Sequence, residues 1–207
     1  MGYFPLFIEL EGASALVVGG GLVALRKVEK LLPYGPKITI VSPKLLPELE
    51  QNPKLVLHHR PFVSTDLDGH TLVIAATNDQ ALNHQISQLC QQRHIPVNVV
   101  DDKQASTFLF PSLIQRGGLS VGISTSGESP SAAIYLKEQF SSMIPENFGE
   151  ILSFLAQQRP MAQQTFSQLH QREQLMKLLF YACLDKKAPL TLEETLSYVQ
   201  AIEEETA

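Results

Sequence analysis

The stretch Val17-Val18-Gly19-Gly20-Gly21-Leu22-Val23-Ala24 decides the fold of this 207-residue chain. It fits the pattern G-x-G-x-x-A, in which an apolar strand ends at a glycine turn and a helix begins directly after it. Gly19 permits the tight turn, and Gly21 lets the backbone approach a pyrophosphate closely. The free N–H groups of Gly21, Leu22 and Val23 would point at the phosphates. A plain tight turn also explains such glycines, but the strand before and the helix after favour dinucleotide binding.

Short β-branched runs alternate with amphipathic stretches from the start of the chain to about Ile123, as they do in βαβ units. The run at 72–76 is apolar throughout, which is expected of a strand covered on both faces. The pattern predicts a Rossmann-like, doubly wound parallel sheet of the α/β class. The predicted strands are 15–18, 37–41, 55–58, 72–76 and 97–100, with further extended segments at 108–113 and 119–123 and helices at 22–32 and 78–93.

The chain changes character after Glu128, because helices follow one another there without intervening strands. Ser129 is predicted to cap the first of these helices, with Pro130 at its first position, and Thr191 to cap the last. The predicted helices are 131–143, 151–158, 164–184 and 192–205.

Composition excludes several classes of protein. The net charge of −5 argues against nucleic acid as a partner, because phosphate binding needs a basic face. Cys90 and Cys183 are far apart in sequence, and their spacing is not that of metal ligands or of a disulfide framework. This usage fits a reducing cytoplasm. The histidines form no ligand cluster, so no resident metal is expected. No secretory leader and no apolar run near the length of a membrane span is present, so no membrane partner is expected.

The second strand departs from the usual dinucleotide-binding pattern. An acidic residue normally ends this strand and holds the ribose hydroxyls, but Ser42 stands there, followed by Pro43 and Lys44. The Ser42 hydroxyl or the backbone of this loop is predicted to take over that contact. Lys44 is either a partner for the 2′-phosphate of NADP or a solvated surface lysine. NAD is the cofactor that we expect.

Several short motifs, taken together in their order and spacing, resemble one family. On them the chain resembles the dehydrogenase module of siroheme synthase and the stand-alone precorrin-2 dehydrogenases, over roughly residues 3–150; the segment from Pro160 onward matches only loosely. The motifs are Pro5-Leu6-Phe7, the glycine turn with Val23-Ala24 and Arg26-Lys27, Ala75-Ala76-Thr77-Asn78-Asp79, Asn98-Val99-Val100-Asp101, Phe108 with Pro111-Ser112, and Ser124 to Pro130.

The resemblance implies an activity and an assembly. The activity is oxidation of precorrin-2 to sirohydrochlorin with NAD as hydride acceptor, and some family members also insert ferrous iron at the same site. The assembly is an intertwined homodimer that exchanges helical regions. We therefore predict an NAD-binding Rossmann-like domain at 1–112, a dimerisation and substrate-site segment at 113–150, and an α-helical C-terminal domain at 151–207.

Asp101 is the predicted catalytic residue. It follows the strand at 97–100, so it should lie at the carboxyl end of the sheet, where doubly wound folds bind ligands. Hydride loss from the macrocycle must be accompanied by proton loss, and a carboxylate can accept that proton. The family's catalytic aspartate falls on this position. An aspartate after a strand is often only a turn residue, however, and Asp102 competes for the role. Asn98 is predicted to orient substrate or cofactor.

Three further parts of the sequence are candidates for ligand contacts, each with a structural alternative. Ser124, Thr125 and Ser126 precede a helix N-terminus, a good place for anions, and the resemblance implies a substrate rich in carboxylates. The same residues could form only a capping loop. Thr77 follows the fourth strand and either contacts ribose or nicotinamide or caps the next helix. Arg26-Lys27 is either a phosphate or carboxylate partner or part of a solvated helix face.

Three functions remain open at this point. The first is an NAD-dependent precorrin-2 dehydrogenase with Asp101 as general base. The second adds a ferrochelatase activity, with ferrous or cobaltous ion as substrate, because one aspartate can serve both steps. The third is a nucleotide-sensing regulatory Rossmann module, although such modules usually carry the acidic residue that is absent at Ser42.

Overall fold

A parallel sheet of five strands forms the first half of the chain in the computed structural model, which describes residues 3–206. Its strands are β1 (Ser14–Val18), β2 (Lys37–Val41), β3 (Leu55–His58), β4 (Leu72–Ala75) and β5 (Val97–Val99), and its helices are α1 (Leu22–Leu31), α2 (Pro47–Glu50) and α3 (Gln80–Gln92). The order across the sheet is β3-β2-β1-β4-β5, so the direction of winding reverses beside β1. The predicted Rossmann-like, doubly wound α/β fold is confirmed.

The sheet is buried on both faces because alternate side chains of each strand point to opposite sides. Leu16 belongs to the apolar cluster on one face, which includes Ile86 from α3. Val17 belongs to the cluster on the other face, which includes Val28 from α1. All of these side chains are almost completely buried. The two helices are thus fixed to opposite faces of the same strands.

Three helix boundaries in this half differ from the prediction, one of them only in that α3 ends at Gln92 rather than at residue 93. The helix predicted at 22–32 ends as an α-helix at Leu31 and continues as a 3₁₀ turn over Leu32–Tyr34. The helix predicted at 78–93 begins at Gln80, because the Asp79 side chain accepts a hydrogen bond from the Leu82 N–H at 3.1 Å and so caps it.

The extended segments beyond β5 form a separate antiparallel hairpin rather than further strands of the parallel sheet. Its strands are β6 (Ser112–Arg116) and β7 (Leu119–Ile123), so the prediction of a strand at 108–113 is wrong in both bounds. The chain just before that segment is tied to β5, where the Thr107 N–H donates to the Val97 carbonyl at 2.8 Å. The chain at residues 107 and 108 is thus hydrogen-bonded to β5, and the first strand of the hairpin begins only at Ser112.

Helices make up the rest of the chain. They are α4 (Pro130–Met143), α5 (Phe148–Thr165), α6 (Leu169–Lys186) and α7 (Leu192–Thr206). The predicted caps are confirmed: the Ser129 hydroxyl accepts from the Ala132 N–H, and the Thr191 hydroxyl from the Glu194 N–H, both at 3.2 Å.

The boundaries of α5 and α6 correct the prediction of helices at 151–158 and 164–184. A proline inside a helix removes a hydrogen bond and costs about 3 kcal/mol, which is why the sequence indicated an end before Pro160. In the structure α5 instead continues through Pro160 to Thr165. Ala162, beyond the proline, is buried with Leu179 of α6 in one apolar cluster. Burial of these side chains offsets the cost of the proline.

The chain divides into two compact units, Met1–Phe110 and Pro111–Ala207. The predicted division into 1–112, 113–150 and 151–207 stays a prediction, because it assigns separate roles to parts of the second unit. No helix among residues 3–206 combines the length and the apolar character needed to cross a bilayer.

A close backbone contact holds α5 against the β6–β7 turn and makes a test of this unit possible. A Cβ atom on Gly149 would lie 2.8 Å from the Cα of Gly117, whereas a Cβ on Gly118 would meet nothing within 4 Å. We expect Gly149→Ala to lower the free energy of unfolding by about 1–3 kcal/mol. Gly118→Ala, on the same turn, should leave it nearly unchanged. Urea denaturation of both variants measures this, and equal stabilities would contradict the packing.

Candidate functional site

The glycine turn between β1 and α1 is fixed by contact with the end of β4. Gly19 has a φ of +120°, and a Cβ atom at this position would lie 2.3 Å from the carbonyl oxygen of Ala76. The Gly19 N–H donates to the Val41 carbonyl at 3.0 Å, which also joins the turn to the end of β2. Only glycine can supply both the conformation and the space.

Gly20 is a structural requirement that the sequence pattern missed. A Cβ atom here would lie 2.2 Å from the carbonyl oxygen of Lys44, and the Gly20 carbonyl accepts from the Leu46 N–H at 3.0 Å. The loop after β2 therefore packs backbone to backbone on the glycine turn. The G-x-G-x-x-A motif allows any residue at position 20. The sequence signal for Gly20 is a run of three glycines, whereas the motif requires only Gly19 and Gly21.

Gly21 differs from its two neighbours because it faces open space. It is the N-cap of α1 in an extended conformation, and a Cβ atom added to it would meet nothing within 4 Å. Leu22 and Val23, the first residues of the helix, are exposed despite being apolar. The N–H groups of a first helical turn have no acceptor within the helix. The uncovered space beside them fits the phosphates of a dinucleotide.

The loop after β2 lies beside this space. The Ser42 hydroxyl donates to the Lys44 carbonyl at 2.7 Å and is nearly buried, whereas Pro43 and the Lys44 side chain are exposed. The hydroxyl proton is therefore engaged within the loop, and only the oxygen lone pairs remain for a ribose hydroxyl. The structure brings these three residues to the glycine turn; their contacts with a cofactor stay a prediction.

Thr77, at the end of β4, is held by a residue that the sequence did not single out. Its hydroxyl donates to the Asn83 side-chain oxygen at 2.7 Å, and the Asn83 amide donates to the Thr77 carbonyl at 3.0 Å. The alternative that Thr77 caps α3 is wrong, because Asp79 is the cap. Asn83, buried on α3, thus fixes the backbone next to Gly19. A ribose or nicotinamide contact by Thr77 stays a prediction.

Asp101 lies in a tight turn at the carboxyl end of β5. Val99 and Asp102 pair across this turn, and the Asp102 N–H donates to the Val99 carbonyl at 3.3 Å. Asp101 has a φ of +58° and an exposed side chain. The left-handed conformation is unfavourable for most residues, and aspartate is among the few that adopt it routinely.

The carboxylate of the neighbouring residue, Asp102, makes its contacts within the loop. One Asp102 oxygen accepts from the Ala105 N–H at 2.9 Å, and the other lies 3.1 Å from the His84 ring nitrogen on α3. The Ser106 hydroxyl closes the loop by donating to the Asp102 carbonyl at 2.7 Å. Of the two adjacent aspartates, Asp102 therefore holds the loop while Asp101 is presented to solvent.

Asn98 is buried on β5, next to the residue at which this turn begins. Its amide nitrogen donates to the Phe108 carbonyl at 3.0 Å, and its side-chain oxygen is buried without a hydrogen-bond partner among residues 3–206. An unpaired buried acceptor is costly unless a ligand or water supplies a donor. This fits the predicted contact with a ligand, which stays a prediction.

Lys27 does not lie on a solvated helix face, so that alternative is wrong for this residue. It is half-buried on α1, and its ammonium lies 4.2 Å from the centroid of the Phe110 ring. The pKa of Lys27 is lowered to about 8, mainly by burial and also by the positive charge of Lys30, while the negative charge of Asp101 opposes both. Arg26, beside it in sequence, is exposed.

The loop Ser124–Ser126, in the second unit, is organised by its own hydroxyl groups. The Ser124 hydroxyl accepts from the Ser126 N–H at 3.1 Å, and the Thr125 hydroxyl donates to the Ser129 carbonyl at 2.9 Å. Ser126 has a φ of +54°. These contacts agree with a capping loop before α4, and substrate binding by the same residues stays a prediction. Among residues 3–206, no three His, Cys, Asp or Glu side chains are grouped so as to hold a metal ion.

Comparison with known proteins identifies the first half of the chain. A family described as "Putative NAD(P)-binding" matches residues 6–112, just over half of the sequence. The chain belongs to this NAD(P)-binding family. The match covers all five parallel strands and the glycine turn, so the open space beside Gly21 lies in the part of the chain that defines the family.

Relatives of the NAD(P)-binding chain extend the comparison. The siroheme synthase of Thioalkalivibrio sulfidiphilus is 43% identical over 158 residues, which are 75% of this chain and 32% of that protein. The siroheme synthase of Photorhabdus laumondii is 38% identical over 183 residues, which are 87% of this chain and 39% of that protein. The chain thus spans about a third of the length of these relatives.

A solved structure resembles the NAD(P)-binding chain over nearly its full length. The protein, named SirC, precorrin-2 dehydrogenase, has 27% sequence identity and a TM-score of 0.72, and the match covers 98% of this chain and all of the other. The similarity includes the helical second half, which the family match leaves out.

The open space at Gly21 gives a test of cofactor binding. We expect Gly21→Val to raise the dissociation constant for NAD about tenfold or more, because the side chain would occupy the space beside the first turn of α1. The fold should lose only about 1 kcal/mol, the cost of a poor helix cap. Isothermal titration with NAD and urea denaturation measure the two effects.

Gly69→Ala is a matched control for that variant. Gly69 has a φ of +76° with open space around it and precedes β4, at the opposite end of the strand from the glycine turn. The Gly69→Ala variant should lose a similar amount of stability and keep its affinity for NAD. Unchanged NAD affinity in Gly21→Val would show that the cofactor does not approach this turn.

Proposed function

We propose that this chain oxidises precorrin-2 to sirohydrochlorin with NAD as hydride acceptor, in siroheme biosynthesis, and that Asp101 is the general base. The names of its relatives, siroheme synthase and precorrin-2 dehydrogenase, support the reaction. Asp101 is assigned as the base because the two adjacent carboxylates differ in their contacts. Asp102 is engaged with Ala105 and His84, whereas Asp101 is exposed at the end of β5.

The reaction requires both a hydride acceptor and a proton acceptor. NAD supplies the first when it is bound at the glycine turn. The Asp101 carboxylate supplies the second by accepting the proton that the macrocycle releases. Its position at the carboxyl end of a parallel strand is where doubly wound folds bind their ligands. The loop contacts of Asp102 and Ser106 hold the backbone of the turn that carries Asp101, which supports a base at a defined place.

The remaining candidate residues are proposed as ligand contacts, each within its own unit. The hydroxyl and N–H groups of the loop before α4 suit the carboxylates of the substrate, and Asn98 offers an acceptor. In this proposal the cofactor is held by Gly19, Gly21, Leu22, Val23, Ser42, Pro43, Lys44 and Thr77, and the substrate is held by Asn98, Ser124, Thr125 and Ser126. Cys90 and Cys183 are buried free thiols, which fits action in the cytoplasm.

The role of Asp101 can be tested by anaerobic assay with precorrin-2 and NAD, following NADH and sirohydrochlorin. We expect Asp101→Ala to lower kcat roughly 100- to 10,000-fold, the usual contribution of a general base, with the dissociation constant for NAD nearly unchanged. Asp102→Asn is the matched control, because an amide oxygen can still accept from the Ala105 N–H, and it should keep most of the activity. Wild-type turnover by Asp101→Ala would contradict the assignment.

The same assay separates the rival functions. Addition of ferrous or cobaltous ion after oxidation shows whether the chain also inserts a metal into sirohydrochlorin. Metal enters that reaction as substrate, and the Asp101 carboxylate could accept the pyrrole protons. A chain that binds NAD but oxidises no precorrin-2 would instead fit a nucleotide-sensing module.

We also propose a homodimer formed through α4. Leu136, Phe140 and Met143 follow one another at helical spacing on this helix, and all three side chains are exposed. Exposed apolar surface of this kind marks protein–protein contacts. The intertwined homodimer that the family resemblance implies supports a second copy of this chain as the partner.

The dimer can be tested with a charge on this helix face. We expect Phe140→Glu to convert a dimer into a monomer, because burying an unpaired carboxylate in an interface is strongly unfavourable. Val63→Glu places the same charge on an exposed apolar position of the first unit and should leave the dimer intact. Light scattering coupled to gel filtration measures the mass. A wild-type monomer, or a dimeric Phe140→Glu variant, would contradict the proposal.

A further inference from the structure

The ammonium group of Lys27 is partly buried without a counter-ion in contact. The ion pairs within 4.0 Å among residues 3–206 do not include Lys27. Its neighbours are the Phe110 ring, the like charge of Lys30 and the more distant carboxylate of Asp101. An aromatic ring attracts a cation but leaves the N–H donors without acceptors. Burial and the charge of Lys30 disfavour the protonated amine, and a bound anion would favour it.

A chain of contacts fixes the place of this ammonium relative to β5. The Phe110 ring packs on the Phe108 ring with centroids 5.4 Å apart, and the Phe108 carbonyl accepts from the Asn98 amide. Asn98 belongs to the strand that ends just before Asp101. The negative charge of Asp101 acts on the Lys27 ammonium, so the cation lies near the proposed base.

We propose that the Lys27 ammonium binds a carboxylate side chain of the tetrapyrrole substrate and thereby places the macrocycle against Asp101. This inference rests on the proposed function, and it adds a residue that determines substrate position. The Phe110 ring beneath the ammonium and the Phe108 ring packed on it are both partly buried and offer an apolar surface next to the charge. A flat macrocycle that carries carboxylates at its rim has the matching chemistry.

Position along α1 separates this role from cofactor binding. Lys27 lies six residues beyond Gly21, which is about 9 Å along the helix. The N–H groups of the first turn lie at the other end of that distance, beside the open space at Gly21. A phosphate bound by the first turn is thus distinct from an anion bound by Lys27.

The pKa of about 8 gives the site a pH dependence. At pH 7 the amine is mostly protonated, and its charge is lost as the pH rises through about 8. The charged groups that act on it are Lys30 on the same helix and Asp101 on the turn after β5. We therefore expect kcat/KM for precorrin-2, which reflects the free enzyme, to fall as the pH rises above about 8.

Three variants test this anchor in the precorrin-2 assay. Lys27→Met should raise the KM for precorrin-2 at pH 7 about 10- to 100-fold, the effect of losing a charged hydrogen bond, with a smaller fall in kcat and with NAD affinity nearly unchanged. Lys27→Arg should keep a low KM and lose the fall above pH 8, because arginine stays protonated. Lys30→Met, on the same helix, should keep the KM at pH 7 and move the fall to higher pH.

Several results would overturn the inference. A wild-type KM in Lys27→Met would refute the anchor, and so would an alkaline fall that persists in Lys27→Arg. A weaker affinity for NAD in Lys27→Met, with an unchanged KM for precorrin-2, would assign the ammonium to a cofactor phosphate instead.

Equilibrium titration with sirohydrochlorin separates failure of the anchor from failure of the proposed reaction. Binding of this product needs no turnover, so it can be followed by the change in its absorption spectrum. If the wild type lacks dehydrogenase activity but binds sirohydrochlorin at least about tenfold more tightly than Lys27→Met, the proposed reaction fails and the anchor stands. If the wild type turns over and both proteins bind sirohydrochlorin equally, the anchor fails and the reaction stands.

Discussion

Backbone packs directly on backbone at the turn between β1 and α1, and the rest of the first unit depends on that contact. Gly19 lies against the Ala76 carbonyl and Gly20 against the Lys44 carbonyl, at distances that leave no room for a side chain. The end of β4 and the loop after β2 are thereby drawn to the same point. The direction of α1 is set by this turn and by the burial of its apolar face, and with it the place of every residue that α1 carries.

The turn also explains why two kinds of ligand group can be served by one helix. Its first residues stand beside open space and suit a phosphate, whereas Lys27 lies about one and a half turns further on, over Phe110. At the neighbouring end of β5, the loop closed by Asp102 holds Asp101 in a left-handed conformation. A conformation of this kind persists only where surrounding contacts determine it. In the proposed mechanism these contacts keep the base in place.

The parts of this structure that the sequence predicts depend on local pattern. The parallel strands and the glycine turn follow from β-branched runs and from one motif, and the caps at Ser129 and Thr191 follow from residues adjacent to their helices. The misses depend on contacts between distant residues. Pro160 indicated a helix end, but burial of Ala162 beyond it carries α5 further. Asn83 gave no sequence signal and Gly20 only the third glycine of a run, because their partners, Thr77 and Lys44, are known only from the fold.

Charge connects the composition of the chain with the proposed substrate. A net charge of −5 opposes the approach of a polycarboxylate at long range, so recognition must come from local donors. The N–H groups of a helix terminus supply only partial charges, and these charges change little with pH. An ammonium supplies a full charge, and partial burial strengthens its interaction with an anion while lowering its pKa. The burial that makes Lys27 an effective anchor for a carboxylate is therefore also what limits the anchor to pH values below about 8.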